Sequence, residues 1–269
     1  MKKIRILVVC ILAISLSLFA IKYQSQQEKE TENLLKQESQ QKPYQSIEIP
    51  AKLENTPEII LYRKAYTVSY NKENLIPNWV AWKLTAEHSE GEIARTNDFR
   101  EDKDIPNPRA TKEDYRKSGW SRGHMFPAGD AKWDKQAMSE SFLFTNICPQ
   151  DKRLNSGDWN EIEMACRLWA KKYGEIYIVC GPILYNKEHI TIGENRVVVP
   201  EAFFKVVLRL TPEPEAIGFV CKNVSINKTK QQYVNSVDEI ERITGMDFFP
   251  LLDDKIEKEV EAKADISKW

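Results

Sequence analysis

SRGHMFPAGD, residues 121–130, decides how this chain is read. It sets Arg122 and His124 on either side of Gly123, and His124 is one of only 3 histidines in 269 residues. In an extended segment residues 122 and 124 project to the same face, so a base and a guanidinium can address one ligand. An imidazole titrates near pH ~6.5 and can take a proton from water at neutral pH. Gly123 between them allows close backbone approach. Asn146, Asn155, Glu163 and Arg167 follow at short intervals. One base, hard oxygen donors and guanidiniums together suit cleavage of a phosphodiester with a divalent metal.

Each residue also has a plainer reading. A single histidine is often structural. Asn146, at a strand end before Ile147-Cys148-Pro149-Gln150, can be a turn residue. Glu163 and Arg167 are spaced for an i,i+4 surface pair worth a few tenths of a kcal/mol. Residues 158–173, DWNEIEMACRLWAKKY, carry apolar side chains at helical spacing. Ser156 or Asp158 can cap that helix and Gly174 closes it. If Asn155 and Glu163 share this helix, they lie about 12 Å apart along its axis. One ion cannot then take both directly. A split role follows, with Asn155 as the protein ligand and Glu163 hydrogen-bonded to metal-bound waters, because Mg²⁺ retains several waters.

Outward from this block the pattern is mixed. Residues 65–70 and 79–84 read as strands, the second set off by Pro77 and Asn78. Residues 86–119 are polar, contain Pro106 and Pro108, and read as a long surface loop of the kind that carries function. Strands are expected at 141–149 and 175–180, with 196–200 and 203–210 as the next pair, and then at 216–221. Helices are expected at 233–243 and 247–262. Strands and helices mix without regular βαβ alternation, so the expected class is α+β, not a doubly wound sheet.

The ends bound the domain. Lys2, Lys3 and Arg5 precede an apolar run, Ile6 to Ala20, of signal-peptide length and short for a span. Residues 1–21 are therefore a signal peptide or an uncleaved anchor, and the chain is expected to be exported: periplasmic, extracellular or held at a membrane through that segment alone. Residues 22–56 are rich in Gln, Glu and Lys and read as a polar linker. About 210 residues remain, ample for one catalytic domain at 57–269.

Net charge is −1, so the bulk composition does not announce a nucleic-acid partner and any phosphate affinity must be local. The segment 95–124 is a candidate, with Arg95, Arg100, Arg109, Arg116 and Arg122, though acids interrupt it and it also reads as a solvated mixed-charge loop. Cys148, Cys166, Cys180 and Cys221 permit two disulfides outside the cytosol, or stand as buried thiols. Their wide spacing argues against a zinc site.

The order and spacing of the site residues resemble the DNA/RNA non-specific endonuclease family, the secreted bacterial nucleases and endonuclease G relatives of the ββα-metal type. The resemblance rests on Ser121-Arg122-Gly123-His124, Thr145-Asn146-Ile147-Cys148-Pro149-Gln150, Asn155, Trp159, Glu163 and Arg167. Gly181-Pro182, Val199-Pro200 and Phe203-Phe204-Lys205-Val206 extend it over roughly 58–245. Ser121 departs from it, since the family usually has Asp there.

The resemblance implies a mainly antiparallel central sheet flanked by helices, a hairpin carrying His124, and a helix carrying Asn155 and Glu163. It implies His124 as general base and Mg²⁺ or Mn²⁺ at Asn155. Arg122 and Arg167 would hold phosphate, and Asn146 would orient part of the water and phosphate network. Arg95 is the expected upstream phosphate contact, with Arg100 as its competitor. DNA and RNA are the implied substrates, cut to leave 5′-phosphates. The rival readings are a phosphodiesterase for another substrate, an impaired nucleic-acid-binding relative, and a Cys–His hydrolase using Cys148 or Cys166.

Overall fold

Period-two apolar patterns build the sheet that carries the site. In the computed structural model, which describes residues 47–224 and 229–269, they become β1 (Ile59–Tyr62), β2 (Thr67–Asn71) and β3 (Ile76–Thr85). Pro77 and Asn78, expected outside the strand, lie within β3. The β2 register shifts between Ser69 and Tyr70, opposite Pro77, which has no N–H to donate. The chain continues through α1 (Lys112–Tyr115), β4 (Ser121–His124), α2 (Lys135–Glu140), β5 (Ile147–Gln150) and α3 (Lys152–Ser156). Next come α4 (Asp158–Tyr173), β6 (Glu175–Ile183), β7 (Thr191–Ile192), β8 (Val197–Val198) and β9 (Ala202–Arg209). Then follow β10 (Glu215–Lys222), β11 (Val234–Asn235), α5 (Val237–Thr244) and α6 (Asp254–Glu261).

Seven strands form one sheet in the order β1-β2-β3-β6-β9-β10-β11, and every neighbouring pair is antiparallel. This is the expected α+β architecture. Both faces are covered, which is why β6 and β9 read as continuous apolar runs. Along β9, Phe203 and Val207 face α4 and the site, while Phe204, Val206 and Leu208 face α5 and α6. Phe203 and Phe204 are fully buried, each a gain of about 1.5–3 kcal/mol.

Several expectations change. RVVVP does not pair with β9; Val197 and Val198 pair with β7, and β9 lies between β6 and β10. Phe144–Asn146 is a 3-10 turn before β5, so the strand expected at 141–149 starts only at Ile147. Helix α5 begins at Val237 because Ser236 caps it, accepting from Glu239 N. Helix α6 begins at Asp254, after Pro250; Phe248 and Phe249 before it are fully buried.

The 86–119 segment is better anchored than a polar loop suggests. Phe99, Ile105 and Tyr115 enter the core, and Arg100 backbone groups bond Phe142 O (3.2 Å) and Phe144 N (3.0 Å). The compact unit starts at Ile47, ten residues before the expected boundary, because Ile47 is fully buried and Ala51 N donates to Asp247 O (2.9 Å). The expected signal segment and residues 22–46 of the expected linker lie outside the described residues.

Candidate active site

Strand β4 pairs antiparallel with β5, His124 opposite Ile147 and Gly123 opposite Cys148. A Cβ at Gly123 would sit 2.2 Å from Gln150 Oε1 and 2.6 Å from its Cβ, so only glycine admits this approach. The hairpin delivers His124 to the floor of a cleft of about 430 Å³ whose walls include Arg95, Arg122, Asn155, Glu163 and Arg167. Ser156 and Asn160, unassigned from the sequence, also line it. A larger hollow of about 650 Å³ along residues 52–57 gathers no such base and guanidiniums.

His124 is 6% exposed, wedged edge-on between Phe99 and Phe142, and its Nε2 has no protein partner. Burial, then the charges of Arg95 and Arg122, push its pKa down to about 3; the Arg122 main chain acts weakly the other way. The imidazole is therefore neutral at physiological pH, with Nε2 ready to accept a proton. A phosphate between the two arginines would cancel part of the repulsion and make the base stronger.

The arginines are held by packing. Arg122 lies over Phe99 at 4.0 Å and Arg95 over Phe142 at 4.9 Å. Arg95 Nε also donates to Asn97 Oδ1 (2.8 Å). Arg100, its competitor, turns away to Asp98 and Ser139 O. Arg167 does not pair with Glu163 as an i,i+4 couple. Its Nη1 donates to Asp130 Oδ1 (2.8 Å), and Asp130, 2% exposed, also accepts from Trp82 Nε1 (3.1 Å). A Cβ at Gly129 would lie 2.8 Å from Arg167 Nη1 and push the guanidinium aside.

Asn155 and Glu163 are on different helices. The chain breaks at Gly157 (φ −108°, ψ −106°), so the single-helix spacing does not apply. Neither expected residue caps α4: Ser156 Oγ donates to Lys152 O, and Asp158 takes the Tyr233 hydroxyl. Asp151 caps α3 instead, accepting from Arg153 N and Leu154 N. Asn155 Nδ2 donates to Ser121 Oγ (3.2 Å), which leaves Oδ1 free toward the cleft. Ser121 Oγ in turn donates to Gln150 O (2.7 Å). Glu163 is half-buried, and burial pushes its carboxyl up to about 7 despite the attraction of Lys205, Arg167 and Arg95. An amide oxygen beside a carboxylate is a donor set that fits a hard divalent cation.

Asn146 does not reach this cleft. It is fully buried; Oδ1 accepts from Phe126 N (2.8 Å), and Nδ2 donates to Phe126 O (2.9 Å) and Ser141 O (2.8 Å). With those bonds made, it fixes the backbone after His124 and has no donor left to orient water or phosphate.

A family model for the DNA/RNA non-specific endonucleases matches residues 45–255. The chain belongs to this family. It is 39% identical to the mitochondrial nuclease EXOG of Danio rerio over 206 residues, 70% of this chain and 60% of that protein. It is 31% identical to a nuclease of Nostoc sp. over 80% of this chain and 82% of the relative. Human mitochondrial endonuclease G is 30% identical over 70% and 68%. A chain in the crystal structure of the EndoG/EndoGI complex superposes with a TM-score of 0.70 at 29% identity, covering 74% of this chain and 89% of that one. The match thus spans about 60% of the length of the EXOG relative.

Two residues of this family member were not assigned from sequence. Asp130 lies in the opening motif, but its partners Trp82 and Arg167 are distant in the chain. Lys205 is fully buried, with Nζ 4.5 Å from the Trp159 ring centroid and 5.0 Å from that of Trp82. Burial alone would lower its pKa, but Cys180, Cys166, Glu163 and Asp130 outweigh that and hold it above the usual lysine value. A lysine at an inward position of FFKVV was the available signal. Cys148, Cys166 and Cys180 are free thiols and all four described cysteines are buried, so no disulfide pairs among these four. Burial pushes the Cys166 thiol up to about 12, and the Cys148 thiol also lies well above its usual value, the opposite of an activated nucleophile.

Proposed function

We propose that this chain is a divalent-metal-dependent endonuclease that hydrolyses phosphodiester bonds of DNA and RNA. The observation that carries the reading is the unpaired, neutral His124 Nε2 at the base of a cleft ringed by Arg95, Arg122 and Arg167. A polyanion drawn in by three guanidiniums meets a base that is uncharged where it has to work. Arg122 and Arg167 can each offer paired N–H donors to phosphate oxygens. His124 Nε2 accepts the proton of a water attacking in line with the leaving 3′-oxygen. Asn155 Oδ1 would hold Mg²⁺ or Mn²⁺ and Glu163 would accept hydrogen bonds from its waters. A divalent ion so bound supplies positive charge where the phosphate and leaving oxygen become more negative.

Ser121 in place of Asp does not argue for an impaired relative, because its hydroxyl still links Gln150 and Asn155. The apolar run at 6–20, behind its basic start, supports export or membrane attachment. Plasmid DNA and RNA incubated with Mg²⁺, Mn²⁺ or EDTA test the activity, and His124→Ala tests the base. Cleavage should require metal and fall by about 10²–10⁴ in the variant. Wild-type rates from folded His124→Ala protein would refute the assignment.

A further inference from the structure

On the sheet face away from His124, α5 and α6 bring three acids together. Asp238 and Glu241 stand one turn apart on α5, and Glu261 is the last residue of α6. One carboxylate oxygen from each lies within 4.8 Å of the others. Glu261 is only 5% exposed and its Oε1 has no hydrogen-bond partner. Glu241 Oε1 accepts from Phe248 N (2.8 Å), which fixes that side chain and leaves its second oxygen for another role. Among the described residues, none of the three joins an ion pair. An acid at the C-terminal end of a helix also faces the negative end of the helix dipole.

We propose that Asp238, Glu241 and Glu261 form a structural calcium site that ties α5 to α6, separate from the catalytic cleft. An all-carboxylate set with no His or Cys selects a hard cation. Three carboxylate oxygens within 4.8 Å of one another are close enough to share one ion, and calcium, with flexible geometry and about 6–8 oxygens, suits such an irregular set better than magnesium, which demands a near-ideal octahedron. Asp238 is exposed, so water completes the shell on its side, which calcium's loose geometry tolerates. The electrostatics agree. Burial, then Glu241, Glu257, Asp238 and Asp247, raises Glu261 to about 9, and burial with Asp247, Asp238 and Glu257 raises Glu241 to about 7. These groups sit where a positive charge is missing.

The test is thermal melting of the full-length Asn155→Ala protein, in which the cleft's own metal ligand is removed, with millimolar Ca²⁺, with Mg²⁺ and with EDTA. Calcium is expected to raise the melting temperature by about 3–6 °C, and magnesium by less. Adding Glu261→Gln should abolish the calcium response and raise the melting temperature in EDTA, because the amide is neutral without the proton that Glu261, raised to about 9, must take up on folding. Exposed Asp238→Asn, which cannot unfold a core, should weaken calcium binding about tenfold by titration calorimetry. Glu261→Gln alone should leave DNA cleavage unchanged. No calcium shift in Asn155→Ala, or an equal shift after Glu261→Gln is added, would overturn the proposal.

Discussion

Asp130→Asn isolates what anchors Arg167. The carboxylate is 2% exposed and makes two bonds, from Arg167 Nη1 (2.8 Å) and Trp82 Nε1 (3.1 Å). Asparagine keeps the shape but turns one oxygen into a donor, which must then face either the indole N–H or the guanidinium. Loss of a charge-assisted hydrogen bond costs about 1.5–3 kcal/mol, and a stranded buried donor about 1–3 kcal/mol more. Part is recovered. Burial raises the Asp130 pKa even against Arg167 and Lys205, so the charged carboxylate is itself poorly solvated, and the amide relieves that. The net expectation is a loss of about 2–3 kcal/mol, or about 4–12 °C in melting temperature for a domain of this size. Arg167, 19% exposed and no longer tethered, should also lose its aim at phosphate. A fall of about tenfold in kcat/KM, carried mainly by KM, follows if its hold is worth ~1.4 kcal/mol. Melting curves and steady-state cleavage of a short duplex measure both. A variant that melts and cleaves like the wild type would refute the anchoring role.

Ser121→Ala should raise the metal concentration needed for half-maximal cleavage about fivefold, by releasing Asn155 Nδ2; an unchanged metal titration would dissociate Ser121 from the metal ligand. Glu163, raised to about 7, is protonated below that pH in the free enzyme, so kcat/KM should drop as pH falls through about 7. Lys205→Met, which removes an attraction that favours the ionised carboxylate, should move this limb to higher pH; a limb that stays put or moves down would contradict the coupling. Because Cys148, Cys166 and Cys180 are free, buried thiols, strong reductant should leave both melting temperature and cleavage unchanged, and a reductant-dependent loss would point to a disulfide.

The parts legible in the sequence are those with local causes. Helix α4 ends at Tyr173 before Gly174 as its periodicity requires, and β4 sets Arg122 and His124 where the R-G-H spacing does. What escaped depends on partners far away in the chain. Nothing local distinguishes an Asn146 that reaches water from one that clamps Phe126 and Ser141. The choice between Arg95 and Arg100 is made by Asp98 and Ser139, which capture Arg100. Lys205 hides in an apolar strand because its charge is answered by residues on α4 and β6 and by Asp130. Gly157 separates α3 from α4, so Asn155 and Glu163 do not share the helix that their spacing would have needed.

Arg95 and Phe99 come from the same stretch of the 86–119 segment, and that stretch is stitched to the body just beyond, where Arg100 meets Phe142 and Phe144. What lies ahead of Phe99, which itself walls His124, can therefore vary in composition while the hairpin, the helices and the general base stay in place. Arg95 would change the width of the grip on a nucleic-acid strand without any edit to the sheet. Exchanging residues 91–97 between relatives, with Phe99 kept against His124, should carry substrate preference with it and leave the chemistry behind.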